Sequence, residues 1–400
     1  MSITGPKPGS GVPTVRLSIS YFFYFSIMGG LIPYLGRFLR SQGFDFAQIS
    51  QTAAILTMAM AVGPFLWAAL SDRTGKRMLW SRVSAFIMVL SALLMAITSQ
   101  PVGLIACIAL FGLFLSSVVP QLEAVTLEYL GPGSTRYGNI RLWGTLGFAV
   151  VVVILGPALA FTGAQVLPWW MAALALATLI SFSFLSDVPY ASDRPREAAH
   201  WGNFFFRLRR PPVWGLYLIL LLWNVSLAAY NTFFDLYLQD VGYSSAAIGG
   251  YLAIAPIAEV ALFLVLSRML TRWGPITVLM MALIVTAIRW LMTAWLADVG
   301  WLLALAQAGH AFTFGAMHGT SMYLLSRLFP MNQQARAQAL YLAFSIGLGL
   351  VGGNLVAGQL WSLPGGPQWV FSLNAGLCVV ALGLMLGLLG GGRLRRLLSH

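Results

Sequence analysis

The stretch Trp301–Arg327 reads WLLALAQAGHAFTFGAMHGTSMYLLSR and carries Gln307, His310 and His318 inside an otherwise apolar run. A helix turns 100° per residue, so Gln307, His310, Phe314, His318 and Ser321 are predicted to share an arc of about 80°. One face is polar and titratable, while the remainder is Leu, Ala, Phe and Met. A helix of about 27 residues crosses a bilayer. Ionisable groups at that depth are costly and point to function unless neighbouring helices merely bridge to them. Two histidines on one face, with a Glu and an Arg on the two preceding apolar runs, favour function over simple bridging.

The rest of the chain has the same character. Hydrophobic residues make up 59% of the 400 and charged residues 8%, against roughly 25% charged in soluble proteins. That composition predicts an all-α integral membrane protein. Twelve apolar spans are expected at 16–39, 47–70, 78–98, 102–128, 139–161, 167–186, 213–238, 246–270, 275–297, 301–327, 337–361 and 368–390. The longest polar interruption, Asp187–Pro212, separates them six and six. The expected organisation is an N-terminal six-helix bundle over 1–186, a cytoplasmic linker over 187–212 and a C-terminal six-helix bundle over 213–400.

The net charge of +12 does not indicate nucleic acid, because the cations sit at the ends of apolar runs. With the N-terminus inside, twenty of the twenty-three Lys and Arg fall on inner segments. Arg37 and Arg40 fall outside, and Arg289 lies within a span. This bias predicts a cell (inner) membrane protein with both termini cytoplasmic. Cys107 and Cys378 both lie inside apolar runs, so neither a disulfide framework nor a metal site is expected. The first apolar run is too long for a cleavable signal and lacks a small-residue cleavage site.

The halves repeat at an offset of 199 residues, which maps Gly43, Ile49 and Gly75 onto Gly242, Ile248 and Gly274. GFDFAQISQ and GYSSAAIGG each open a span, and SDRTG and LTRWG each follow it. Two parallel six-helix pseudo-repeats are the architecture expected of the major facilitator fold. The turn AALSDRTGKR (68–77) resembles the loop signature of that superfamily between its second and third helices, with Ala68 where Gly is usual. Gly75 suits a tight turn. Asp72 and Arg73 are candidates for a conformational latch, with Asp72 reaching a helix N-terminus or an Arg.

Few ionisable residues lie inside the spans. Glu123 stands late in the fourth and Arg141 early in the fifth, joined by the short hairpin GPGSTRYG, so the two can meet. Glu259 stands in AIAPIAEVALF, about 20 Å from the outer end at 1.5 Å per residue. Arg289 and His310 come out roughly 12–15 Å from the same end. Three such groups on consecutive helices predict a buried cluster. A carboxylic acid held between desolvation and a movable Arg suits loading and release of a proton, and His310 and His318 can share that task. Tyr24, Asn224, Asn231 and Gln307 are further candidates to meet a substrate, beside Tyr21, Trp223 and Tyr230, although aromatic residues in membrane helices more often serve packing.

The segments YFFYFSIMGGLIPYL, YGNIRLWGTLGFA, AAYNTFFDLYLQDVGYS, IAEV and QAGHAFTFGAMH together resemble the lactose-permease-like branch of the major facilitator superfamily, most closely the phenylpropionate permease family. That resemblance covers nearly the whole chain and implies proton-coupled uptake by alternating access. It implies a substrate pair at Glu123 and Arg141, and a proton-coupling set at Glu259, Arg289 and His310. Thr313 stands where lactose permease has a carboxylate central to proton release, which shifts the favoured proton site to Glu259 with the His pair.

The expected function is a secondary active transporter, a proton symporter of a small organic solute, first an aromatic carboxylate such as a phenylpropionate, with Arg141 or Arg289 as the charge complement to that carboxylate. Its expected partners are that solute, protons and the lipid bilayer; no cofactor beyond the proton gradient and a monomeric state are expected. Sugar or nucleoside symport and efflux antiport are the rivals within transport. An enzyme with His310 or His318 as general base is disfavoured, since no nucleophile or metal set stands beside them. Nucleotide-driven pumping is disfavoured because no GxxxxGK[ST] loop is present.

Overall fold

In hydrocarbon a backbone satisfies its own N–H and C=O groups only as a helix or a closed barrel. Every long apolar run here is accordingly helical. The computed structural model describes residues 12–131, 136–187 and 201–390, and among these there is no strand. First come α1 (Thr14–Ser41), α2 (Phe46–Thr74), α3 (Arg77–Ile97), α4 (Pro101–Leu130), α5 (Tyr137–Thr162) and α6 (Leu167–Ser183). A short α7 (Trp201–Leu208) precedes α8 (Pro211–Val241), α9 (Ser245–Trp273) and α10 (Pro275–Trp295). Most of the expected linker, residues 188–200, lies outside the described residues.

The decisive stretch departs from expectation. The apolar run 301–327 predicts one unbroken helix, but the structure builds it from pieces: α11 (Gly300–Ala308), a turn at Gly309, a π-helical segment Ala311–Ala316 and α12 (Met317–Leu328). The eleventh span is composite too, with α13 (Met331–Leu340), a π-helical segment Tyr341–Leu348 and α14 (Gly349–Trp361). The chain's last described helix is α15 (Gly366–Gly390). Eleven stretches among the described residues are helices long and apolar enough to cross a membrane, and the broken tenth span is the further one. The fold is all-helical with twelve spans.

The repeat is visible in backbone conformation. Gly43 (φ 84°) and Gly242 (φ 103°) end α1 and α8, and Gly75 (φ 67°) and Gly274 (φ 79°) follow α2 and α9. Each pair stands 199 residues apart, and a left-handed conformation is where only glycine avoids a steric penalty.

Contacts divide the chain into two compact units, Met1–Gly43 with Ile55–Arg194, and Phe44–Ala54 with Pro195–His400. In the first, α1 meets α5 through glycine: a Cβ on Gly147 would lie 2.2 Å from the carbonyl oxygen of Phe22. In the second, α8 meets α14 the same way, a Cβ on Gly353 falling 2.3 Å from the carbonyl oxygen of Val225. Small residues at such seams let backbones approach where lipid gives no hydrophobic drive to association. Phe44–Ala54, in the same span as the rest of α2, packs within the second unit: the Phe46 and Phe233 rings lie 6.1 Å apart, and Gly358 leaves room for Ser50.

At the α2–α3 turn, the Gly75 N–H donates to the Ser71 carbonyl at 2.8 Å and Arg73 is exposed. The side chain of Asp72 lies outside the described residues. The carboxylate that caps the α3 N-terminus is Asp187, which accepts the Met78 N–H at 2.6 Å. Arg77 pairs with Glu128, and Arg82 Nε donates to the Phe182 carbonyl at 3.1 Å. A cluster of charges thus joins α3, α4 and the end of α6 within the first unit.

Candidate functional site

The second unit gathers the titratable groups. Glu259 lies midway along α9 and His310 directly follows the Gly309 turn, and His310 Nε2 stands 2.9 Å from Glu259 Oε1. Both are mostly buried, at 17% and 13% side-chain exposure, so the pair lies largely out of water while keeping one edge open. Gly315 faces α9, where a Cβ would meet Glu259 Cγ at an ordinary 3.6 Å and press on Leu262 at 3.2 Å.

Arg289 on α10 belongs to the same cluster but not to the same pair. Its Nε donates to the Ala306 carbonyl at 2.9 Å, and its guanidinium lies over the Tyr230 and Trp290 rings at 4.3 and 4.4 Å. Ring faces partly compensate a buried cation. Nη1 and Nη2 meet no acceptor at hydrogen-bonding geometry. Arg37, Asp235 and Arg289 are the buried Asp, Glu, Lys and Arg residues among those described. Asp235 accepts from Gln239 Nε2 at 2.7 Å, and Arg37 Nη1 donates to the Gly156 carbonyl at 3.5 Å.

The predicted polar face survives the break in the helix. His310, Phe314 and His318 stack in one ladder, with ring centroids 6.1 and 5.6 Å apart and planes within 7° and 3° of parallel. His318 does not join the Glu259 pair; its Nδ1 lies 3.2 Å from the Tyr341 hydroxyl, where the second π segment begins. Gln307 is fully buried and its Oε1 accepts from the Tyr230 hydroxyl at 2.8 Å. Thr313, beside the pair in sequence, accepts from Thr286 at 3.1 Å, while its carbonyl receives the Trp223 indole N–H at 2.8 Å. Asn224 donates to the Leu220 carbonyl at 2.8 Å, and Asn231 is half-buried on the same helix.

In the first unit, Arg141 Nε lies 3.8 Å from Glu123 Oε1, with the side chains 32% and 37% exposed. At 3.8 Å the contact is loose, without the short hydrogen-bonded geometry of a tight ion pair. Tyr137, which sequence reasoning did not single out, donates to Glu123 Oε1 at 3.2 Å. The Arg141 guanidinium sits 3.9 Å over the Phe25 ring, a contact only Gly144 permits, since a Cβ there would fall 2.7 Å from Phe25 and 2.9 Å from Arg141. Tyr24 is engaged otherwise: it is buried and donates to the Leu115 carbonyl at 2.8 Å, bridging α1 to α4.

A helical membrane scaffold of twelve spans, repeated six and six and carrying titratable groups within the spans, is that of a secondary transporter of the major facilitator type. The chain belongs to the MFS_1 like family, whose model matches residues 14–373. It is 25% identical over 362 residues to a probable 3-phenylpropionic acid transporter of Escherichia coli (strain K12), covering 90% of this chain and 94% of that one. It is 27% identical over 368 residues to a maltose permease of Geobacillus stearothermophilus, covering 89% and 91%. Its fold is similar to the crystal structure of the nucleoside transporter NupG, with a TM-score of 0.81 at 19% identity, over 94% of this chain and 98% of that one. The protein is a multi-pass membrane transporter and not an enzyme.

Proposed function

We propose that the protein is a proton symporter that takes up a small organic acid, first an aromatic carboxylate of the phenylpropionate kind, by alternating access. The observation that carries this reading is the 2.9 Å contact between His310 and Glu259 beside a buried Arg289. An acid and a base in hydrogen-bond contact, mostly shielded from water, share a proton whose loading depends on what charge stands nearby. Glu259 carries the co-transported proton, His310 shares it, and His318 with Tyr341 forms a second station one ladder step along the tenth span. Glu123 and Arg141, with Tyr137 and Phe25 around them, meet the solute in the first unit.

The similarity to a probable 3-phenylpropionic acid transporter supports the choice of solute. A second reading, symport of a sugar or nucleoside, is supported by the maltose permease and nucleoside permease relatives. The test is uptake into proteoliposomes under an imposed inward proton gradient, across aromatic acids, sugars and nucleosides. Gradient-driven accumulation of an aromatic acid, abolished by a protonophore, is the expected result. Accumulation of sugar or nucleoside alone would select the second reading, and outward pumping would overturn both in favour of antiport.

A further inference from the structure

Among the described residues Arg289 makes no ion-pair contact, and the carboxylate that acts on it, Glu259, does so only at longer range. Arg289 is 1% exposed, spends Nε on the Ala306 carbonyl, and keeps Nη1 and Nη2 without an acceptor. Glu259 is turned to His310 at 2.9 Å, and Asp235 holds the Gln239 amide at 2.7 Å. A buried guanidinium without a counter-charge in contact is unfavourable, because ring faces recover only part of the lost hydration.

A second donor stands beside it. Tyr230 ties the two together, with its ring under the Arg289 guanidinium at 4.3 Å and its hydroxyl donating to Gln307 Oε1 at 2.8 Å. That bond sets the orientation of the Gln307 amide and leaves Nε2 as its spare end, buried and without an acceptor. The spare groups are all donors, two from a planar fork and one from an amide, flanked by the Tyr230 and Trp290 rings. Such a set matches a carboxylate, which accepts at two oxygens and carries the missing charge.

We propose that Arg289 and Gln307 form a dehydrated receptor for the carboxylate of the transported solute. The inference rests on the reading of the protein as an organic-acid symporter, and it assigns the charge complement to Arg289 rather than Arg141, which already has Glu123 at 3.8 Å.

The test uses purified full-length protein in detergent. Kd and thermal stabilisation are measured for 3-phenylpropionate, its neutral amide, benzoate and acetate, on wild type, Arg289→Lys and Gln307→Glu. Losing one partner of a desolvated, hydrogen-bonded charge pair weakens binding at least about 30-fold, so wild type should prefer the acid over the amide by that margin. Arg289→Lys loses the planar fork and most of the preference. Gln307→Glu places a carboxylate of the chain itself beside Arg289; it should raise the Tm and abolish the preference, which keeps the test valid if Arg289→Lys fails to fold. If 3-phenylpropionate binds wild type and Gln307→Glu alike, the receptor is wrong while the aromatic-acid reading stands. If benzoate or acetate stabilises wild type but not Gln307→Glu, and 3-phenylpropionate does neither, the receptor stands and the aromatic solute falls. No response of wild type to any carboxylate overturns the receptor.

Discussion

Tyr24 and Tyr230 are both buried tyrosines on the first span of their unit, and the destination of each hydroxyl separates their roles. Tyr24 donates to a backbone carbonyl of α4, whereas Tyr230 lies under the Arg289 guanidinium and donates to the amide oxygen of Gln307. Tyr24→Phe leaves the Leu115 carbonyl short of a partner and should cost about 1–3 kcal/mol of stability, read as a lower Tm with uptake falling only as folded protein falls; a changed substrate preference would contradict this. Gly144→Leu drives a side chain into Phe25 and Arg141, and should raise the uptake KM at least about tenfold, equivalent to ~1.4 kcal/mol. An unchanged KM would show that Arg141 is not held in place by that gap. Depth along a helix is readable from a uniform rise per residue, which puts Glu259 and His310 at similar though not equal depth, about 20 and 12–15 Å from the outer end. Tyr137 and Tyr341 were not readable, because their roles depend on the rotation of a neighbouring helix, which apolar runs leave unmarked.

At the level of the element, the tenth span shows where periodicity stops being informative. A π turn inserts residues into a helix without any change of composition, so the run of Leu, Ala and Phe around Ala311–Ala316 gave no sign of it. The pairs of glycines ending α1 and α8, and following α2 and α9, were readable because a positive φ demands that residue. Inserting one alanine after Met317, where the helix is back in α geometry, should turn His318 by about 100° relative to His310. The expected outcome is a folded protein that exchanges solute down its gradient but no longer accumulates it; retained accumulation would mean the ladder of rings is structural. Gly353→Leu, at the α8–α14 seam, should lower the Tm by overpacking worth roughly 1–3 kcal/mol or more.

For the whole molecule, twelve spans in two repeats were legible because membrane thickness and backbone satisfaction leave a long apolar run little choice of structure. The distribution of Lys and Arg further predicts cytoplasmic termini: a cysteine introduced at Gln42 should react with an impermeant maleimide in intact cells, and one at Lys76 only after permeabilisation. The reverse pattern would invert the topology and, with it, the assignment of proton entry and release. The central claim, that the Glu259–His310 pair carries the coupled proton, is tested most directly by Glu259→Gln in proteoliposomes, comparing accumulation under a proton gradient with counterflow in its absence. Loss of accumulation with counterflow preserved is the predicted result; a Glu259→Gln protein that still concentrates solute against its gradient would contradict the account.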